Sequence, residues 1–285
     1  MQQNLARQRY QTFSSTFIPV SLTTYAWIIN LAVTLYYGVY LGGLHDTSNF
    51  FSIIICILGA VTSALVIPVN FSVGFLISSF LLLIHWRIAA MAEVTPIIII
   101  SSMMGVLYLL LFLDCMRKNW LLPENQGRLS GLEWQATTVR IYFAFDMVGH
   151  FTEKLFAGTA SFYHMGDIFR GFGVGHPQLM VIIGGCCEIG IAIGIGMGFL
   201  TRLAAVGGML YFMIANHFGD HFAYGFTWSN EPGGGWEYPM LMAIFYLSFA
   251  LSGAGKFSID NWLIERKILP NAILSLCIPR ANQVA

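Results

Sequence analysis

Apolar residues gather into long runs separated by short polar intervals, and this pattern predicts membrane helices. The runs fall at 20–41, 50–67, 71–86 (reaching 92 if extended), 96–113, 139–155, 179–200, 203–216 and 238–251. A helix needs about 20 residues to cross a hydrocarbon core, so the seventh and eighth runs are short and must be extended by their flanks or tilted differently. A polar interval, 114–138, carries Arg117, Lys118, Glu124, Arg128 and Glu133 and divides the eight runs four and four. No alternation suited to a barrel strand is visible, and backbone inside lipid must satisfy its hydrogen bonds within its own segment. The fold class is therefore all-α: a polytopic transmembrane helix bundle of about eight spans.

Composition supports this. Charged residues make up 10% of the chain and apolar residues 56%, where soluble domains carry about 25% charge. The formal net charge is zero, without the concentrated basic patch that a nucleic-acid partner requires. The expected partner is the lipid bilayer. With eight spans, Arg7, Arg9, Arg117, Lys118, Arg128, Arg140, Arg202, Lys256, Arg266, Lys267 and Arg280 share one side, leaving Arg87, Lys154 and Arg170 for the other. Basic residues mark the cytoplasmic face. The expected location is a cell inner membrane, multi-pass, with both termini cytoplasmic. The run 20–41 ends in Tyr36-Tyr37-Gly38-Val39-Tyr40, an interfacial aromatic cluster, and reads as a retained first span rather than a cleaved leader. The five cysteines form no C-x-x-C pair; Cys186 and Cys187, beside glycines, read as small packing residues.

Two connectors, Gly158–Gln178 and Phe218–Gly235, are expected to be long loops on the far side, either functional lids or simply exposed and mobile. The first four runs are nearly free of ionisable groups apart from Arg87 and Glu93, both placed near an interface. The later runs differ. Asp146, His150 and Lys154 are spaced i, i+4, i+8 and would form one helical stripe, with Glu153 beside it. An ionisable residue at mid-bilayer costs about 2.5–3.5 kcal/mol on insertion scales, so the stripe should face the bundle or a wet cavity. Two readings stay open: a proton relay or head-group site, and a structural network that fixes helix register. Glu188 lies in Gly184-Gly185-Cys186-Cys187-Glu188-Ile189-Gly190 and is expected to pair with Lys154 or Arg140, or to stay protonated. His217 and His221 have metal-ligand spacing if their helix continues, but Gly219 stands between them and no metal is assigned.

The residues from about 138 to 262 resemble the DoxX-like membrane proteins. The resemblance rests on Arg140 opening the first helix, Glu153-Lys154-Leu155-Phe156-Ala157-Gly158, and Glu188 in a glycine-rich helix. It continues through Gly198-Phe199-Leu200-Thr201-Arg202-Leu203-Ala204-Ala205, Ala215-Asn216-His217, Gly234-Gly235-Trp236-Glu237-Tyr238-Pro239 and Ser252-Gly253-Ala254-Gly255-Lys256-Phe257-Ser258-Ile259-Asp260. It implies a DoxX-like four-helix bundle at 138–262. That bundle would follow an N-terminal four-span apolar region with a polar cytoplasmic connector at 1–137, and precede a cytoplasmic tail at 263–285. Some family members are the membrane subunit of a thiosulfate:quinone oxidoreductase; others are linked to thiol-oxidative stress or to resistance to small aromatic compounds. Carried over, Arg140, Lys154, Glu188, His217 and Glu237 would form a polar centre, and Asp146 and His150 join them as candidate substrate-binding residues.

The leading expectation is a redox-associated membrane subunit that binds a quinone or a small sulfur compound at this buried Arg/Lys/Glu/His centre. No covalent cofactor is expected. The chain lacks a C-x-x-C pair, a haem-ligation pattern and a dinucleotide fingerprint, so redox work would need a bound quinone or a second redox subunit. A small-molecule transporter and a non-catalytic membrane adaptor are the alternatives.

Overall fold

A computed structural model describes residues 13–15, 17–231 and 233–279, and the described residues are helical without strands. Arg7, Arg9 and Arg280, used above for orientation, lie outside them. The chain divides into two compact units, 1–136 with 156–160, and 137–155 with 161–285.

The first unit is built on four helices: α1 (Ser21–Val33), α2 (Asp46–Val61), α3 (Phe71–Met91) and α4 (Thr95–Trp120). α1 and α2 each run on into π-helical turns, Thr34–Tyr40 and Thr62–Val66. The Asn70 side chain caps α3 by accepting from Val73 N at 3.2 Å, and Pro96 opens α4, where its missing N–H costs nothing. Each helix packs on the next, and α1 also packs on α4, which closes the ring. Close approach of α1 and α2 depends on Gly59: a Cβ there would lie 2.3 Å from the Trp27 ring. The interior is not purely apolar. His85, which the sequence reading passed over, is 0% exposed.

A polar corner follows α4. Asn119 Oδ1 accepts from Leu129 N at 2.9 Å and from Trp134 Nε1 at 3.1 Å. Ser130 and Glu133 form a capping box, Glu133 N to Ser130 Oγ at 3.2 Å and Ser130 N to Glu133 Oε2 at 2.8 Å, which starts α5 (Gly131–Phe145).

The second unit contains the rest of α5, then α6 (Met147–Leu155), α7 (Thr159–Gly171), α8 (Pro177–Ile191, with π turns Ala192–Gly196), α9 (Thr201–Phe218), α10 (Glu237–Ser252), α11 (Ile259–Glu265) and α12 (Asn271–Leu274). α9 packs along α10, α6 along α8, and α8 against α9.

Among the described residues, five helices are long and apolar enough to cross a membrane: Ser21–Tyr40, Asp46–Val66, Phe71–Met91, Thr95–Trp120 and Pro177–Gly196. The other three expected spans are modified. The fifth, expected to be continuous, is interrupted at Asp146, where Gly149 N turns back to Asp146 O at 3.1 Å. α9 has 18 residues but carries Arg202, Asn216 and His217, and α10 has 16. Gly158–Gln178 is not a loop, because Thr159–Gly171 is helical; Phe218–Gly235 is non-helical after Phe218, as expected.

Candidate functional site

α6 and α8 meet where Gly185 faces Leu155; a Cβ on Gly185 would lie 2.7 Å from Leu155 Cγ. That approach brings Lys154, the neighbour of Leu155, to Glu188, almost one turn after Gly185. Lys154 Nζ donates to Glu188 Oε1 at 3.0 Å, and Tyr211 on α9 donates its hydroxyl to the same oxygen at 2.6 Å. Lys154 Nζ also reaches the His150 carbonyl at 3.2 Å and stands 4.0 Å from Glu153 Oε1. Both members of the pair are buried, with Glu188 4% and Lys154 5% exposed. Glu188 Oε2 is buried and has no hydrogen-bond partner among the described residues.

Buried carboxylate oxygens are normally satisfied, because an orphaned acceptor keeps its desolvation cost of about 1–3 kcal/mol, more when charged. Here Oε1 accepts two strong bonds and Oε2 none. Gly184, one turn before Glu188, brings the backbone of α8 close to the cluster. A Cβ there would sit 3.5 Å from Tyr211 Oη, 3.8 Å from Phe169 Cζ and 3.9 Å from Lys154 Cε, all ordinary contacts. The arrangement therefore offers an ammonium donor, a free carboxylate acceptor, a phenol and an aromatic edge around one point.

Of the two cations expected as partners for Glu188, Lys154 takes the place, and Arg140 does not join this cluster. Its Nη1 donates to the Ile195 and Gly196 carbonyls at 2.7 and 2.6 Å, and its Nη2 to the Phe257 carbonyl at 2.6 Å. The Ile195 and Gly196 carbonyls sit at the π-helical end of α8, where helical partners run out, and the Phe257 carbonyl lies just before α11, so the guanidinium ties the two segments together. Gly196 admits Phe145 beside it, with a Cβ position 2.5 Å from Phe145 Cδ1. Asp260 completes this end by capping α9, accepting from Leu200 N at 2.8 Å and from Thr201 N at 3.0 Å. Arg202 donates to the Ala250 carbonyl at 2.7 Å and the Ser275 carbonyl at 2.5 Å.

The remaining candidates also stand apart. Asp146 is exposed at the helix break and accepts from the Tyr238 hydroxyl. His150 is exposed, so Asp146, His150 and Lys154 do not form a single buried stripe. His217 is exposed near the end of α9, and Glu237 is exposed at the start of α10, its Oε2 accepting from Trp228 N at 3.1 Å. α9 stops at Phe218, and His221 turns its Nδ1 to the Gly234 carbonyl at 2.7 Å, so the His217/His221 spacing is not helical. Among the described residues no three His, Cys, Asp or Glu side chains converge on a metal-sized site.

Sequence reading missed Tyr211. Its signal was faint: a tyrosine inside an otherwise apolar span needs a partner for its hydroxyl when buried.

Residues 136–220 match the DoxX family model. The C-terminal half therefore carries a DoxX domain, in agreement with the resemblance read from the residues. The match spans Arg140, Lys154, Glu188 and Tyr211 and stops before Glu237 and Asp260. No curated protein and no solved structure matches the chain. Together the DoxX domain at 136–220 and the apolar helices support a multi-pass membrane protein that carries a region similar to DoxX.

Proposed function

We propose that this protein is a redox-associated membrane subunit that binds a quinone or a small sulfur compound at Lys154, Glu188 and Tyr211. The observation that carries this reading is Glu188 Oε2, a buried carboxylate oxygen without a partner beside an ammonium group. A ligand hydroxyl would donate to it, and a ligand carbonyl would accept from Lys154. The quinone and quinol forms supply those two groups, and the Phe169 ring near Gly184 supplies an aromatic neighbour. When bound, such a molecule supplies two-electron chemistry coupled to protons. The chain's own contribution is to hold the head group, exclude water, and present Glu188 Oε2 as the proton acceptor.

Charge balance favours the quinone over the sulfur compound. The Lys154 ammonium and the Glu188 carboxylate neutralise each other at 3.0 Å, so an anionic sulfur species would bring a negative charge with no cation left to balance it. The polar centre of the reading is thus narrowed to three side chains, with Arg140, Asp146, His150, His217 and Glu237 outside it. On this reading the 138–262 bundle holds the site in a cell inner membrane, both termini are cytoplasmic, and a second redox subunit exchanges electrons with the bound molecule.

Two measurements on protein purified in mild detergent test this: solvent extraction for retained quinone, and titration with a short-chain benzoquinol. Saturable binding that weakens about tenfold in Glu188→Gln, a loss near 1.4 kcal/mol, supports it. Absence of both retained quinone and saturable binding overturns it.

A further inference from the structure

The end of α5 and the whole of α6 run beside α8 at membrane depth. Phe145 meets α8 at Gly196, and Leu155 meets it at Gly185. With its π turns, α8 spans Pro177–Gly196 and is long and apolar enough to cross a membrane. Residues 145–155 therefore lie alongside the crossing segment 185–196. Their inner side is well covered: Phe145, Met147, Val148, Phe151, Thr152 and Lys154 are all buried.

The outer side is polar and uncovered. Tyr142, Asp146 and His150 are exposed, Tyr142 at 69%, and residues four apart share a helix face. The interruption at Asp146 does not separate them. Asp146 N bonds Tyr142 O at 3.1 Å and Gly149 N bonds Asp146 O at 3.1 Å, so the chain stays coiled through that residue. Gly149 lies on the same side, and no atom stands within 4 Å of a Cβ placed on it. Tyr238 donates to one oxygen of Asp146, Oδ2. Ionisable side chains at membrane depth turn toward protein or a wet cavity and not toward lipid, so this face requires a cover.

We propose that the Tyr142–Asp146–His150 face is the contact between two copies of this chain, related by a two-fold axis along the membrane normal. A two-fold contact sets the same patch against itself, so the patch must be self-complementary. This one carries an acid and a base one turn apart. Side chains on a helix slant toward its N-terminus, which carries the longer His150 side chain back to the level of Asp146 of the second copy. Two such pairs form, each imidazole N–H donating to a carboxylate. Gly149 lies between them and lets the two backbones approach, as small residues do between membrane helices. The proposal is independent of the ligand site, because Lys154 and Glu188 are buried on the inner side.

The test uses the full chain, carrying one dye per copy, at low density in lipid vesicles, with copies counted by stepwise photobleaching. The wild type should bleach in pairs. Gly149→Leu enters open space within one copy, so its thermal melting should hold while the dimer dissociation constant rises about tenfold. Asp146→His combined with His150→Asp should pair with itself and not with the wild type, read by energy transfer between differently labelled proteins. Where that exchange variant does not fold, Gly149→Leu decides alone. A monomeric wild type, pairing unaffected by Gly149→Leu, or native mass spectrometry showing one copy bound to a different subunit overturns the proposal.

Discussion

Lys154 Nζ and Tyr211 Oη converge on a single oxygen of Glu188, at 3.0 and 2.6 Å, and leave the other oxygen of that carboxylate without a partner among the described residues. The lopsided arrangement makes stability and ligand binding separable, because one oxygen serves the fold and the other remains for a ligand.

The first prediction concerns the ion pair. Removing one member of a buried pair costs about 3–5 kcal/mol, whereas removing both is often close to neutral. Lys154→Met alone should lower the thermal midpoint in detergent clearly, and Lys154→Met with Glu188→Gln should recover much of that loss. Quinol binding should stay lost in the double variant. Recovery of both stability and binding would assign the pair a structural role only.

Tyr211→Phe keeps the ring and removes the hydroxyl that donates to Glu188. A hydrogen bond to a charged group contributes about 1.5–3 kcal/mol, so denaturation should show a loss in that range. With Oε1 less satisfied, the affinity for a hydroxyl donor at the carboxylate should rise or hold rather than fall. Titration of the variant with benzoquinol checks the direction.

Arg140 should behave differently from Lys154. Its guanidinium bonds three backbone carbonyls, of which Ile195 O also accepts from Gly198 N, and Arg140→Met would cost about 1–3 kcal/mol for each carbonyl left without another donor. The expected outcome is poor yield and a lowered melting temperature, with unchanged quinol affinity in the fraction that folds. An affinity loss matching that of Glu188→Gln would return Arg140 to the site.

Neighbouring glycines give a steric test. Gly184→Ala meets only ordinary contacts, the nearest Tyr211 Oη at 3.5 Å, so the fold should tolerate it while the ligand's flank narrows and binding weakens. Gly59→Ala instead drives a methyl to 2.3 Å from the fully buried Trp27 ring, and overpacking of this kind costs about 1–3 kcal/mol. Thermal melting of the two variants side by side distinguishes them.

Much of the architecture was legible in one dimension. Apolar runs of membrane length located α1 to α4 and α8 closely, because lipid imposes a length and a composition that no packing detail can override. The weaker signals failed at identifiable residues. Asp146 looked like one rung of a continuous helical stripe, yet the helix breaks there and Tyr238 takes up its carboxylate. Thr159–Gly171 looked like loop because of its flanking glycines, though its interior is helical. His85 was overlooked since a lone histidine in an apolar run has no spacing signature; its partners Asn30, Thr34 and Ser101 come from other helices.

What the sequence alone determined was the class: a helical membrane protein whose ionisable groups concentrate in its second half and whose residues carry a DoxX resemblance. Which of those groups meet was decided only by tertiary structure. Lys154 and Arg140 are both cations on consecutive helices, and spacing treats them as equivalent partners for Glu188. Their fates diverge because helix rotation and depth are set by contacts across chain-distant residues. Leu155 against Gly185 brings Lys154 to the carboxylate, while Phe145 against Gly196 delivers Arg140 to the carbonyls ending α8. An interhelical distance depends on the small residues that permit approach on both helices at once, and that joint condition is not written in the periodicity of either one.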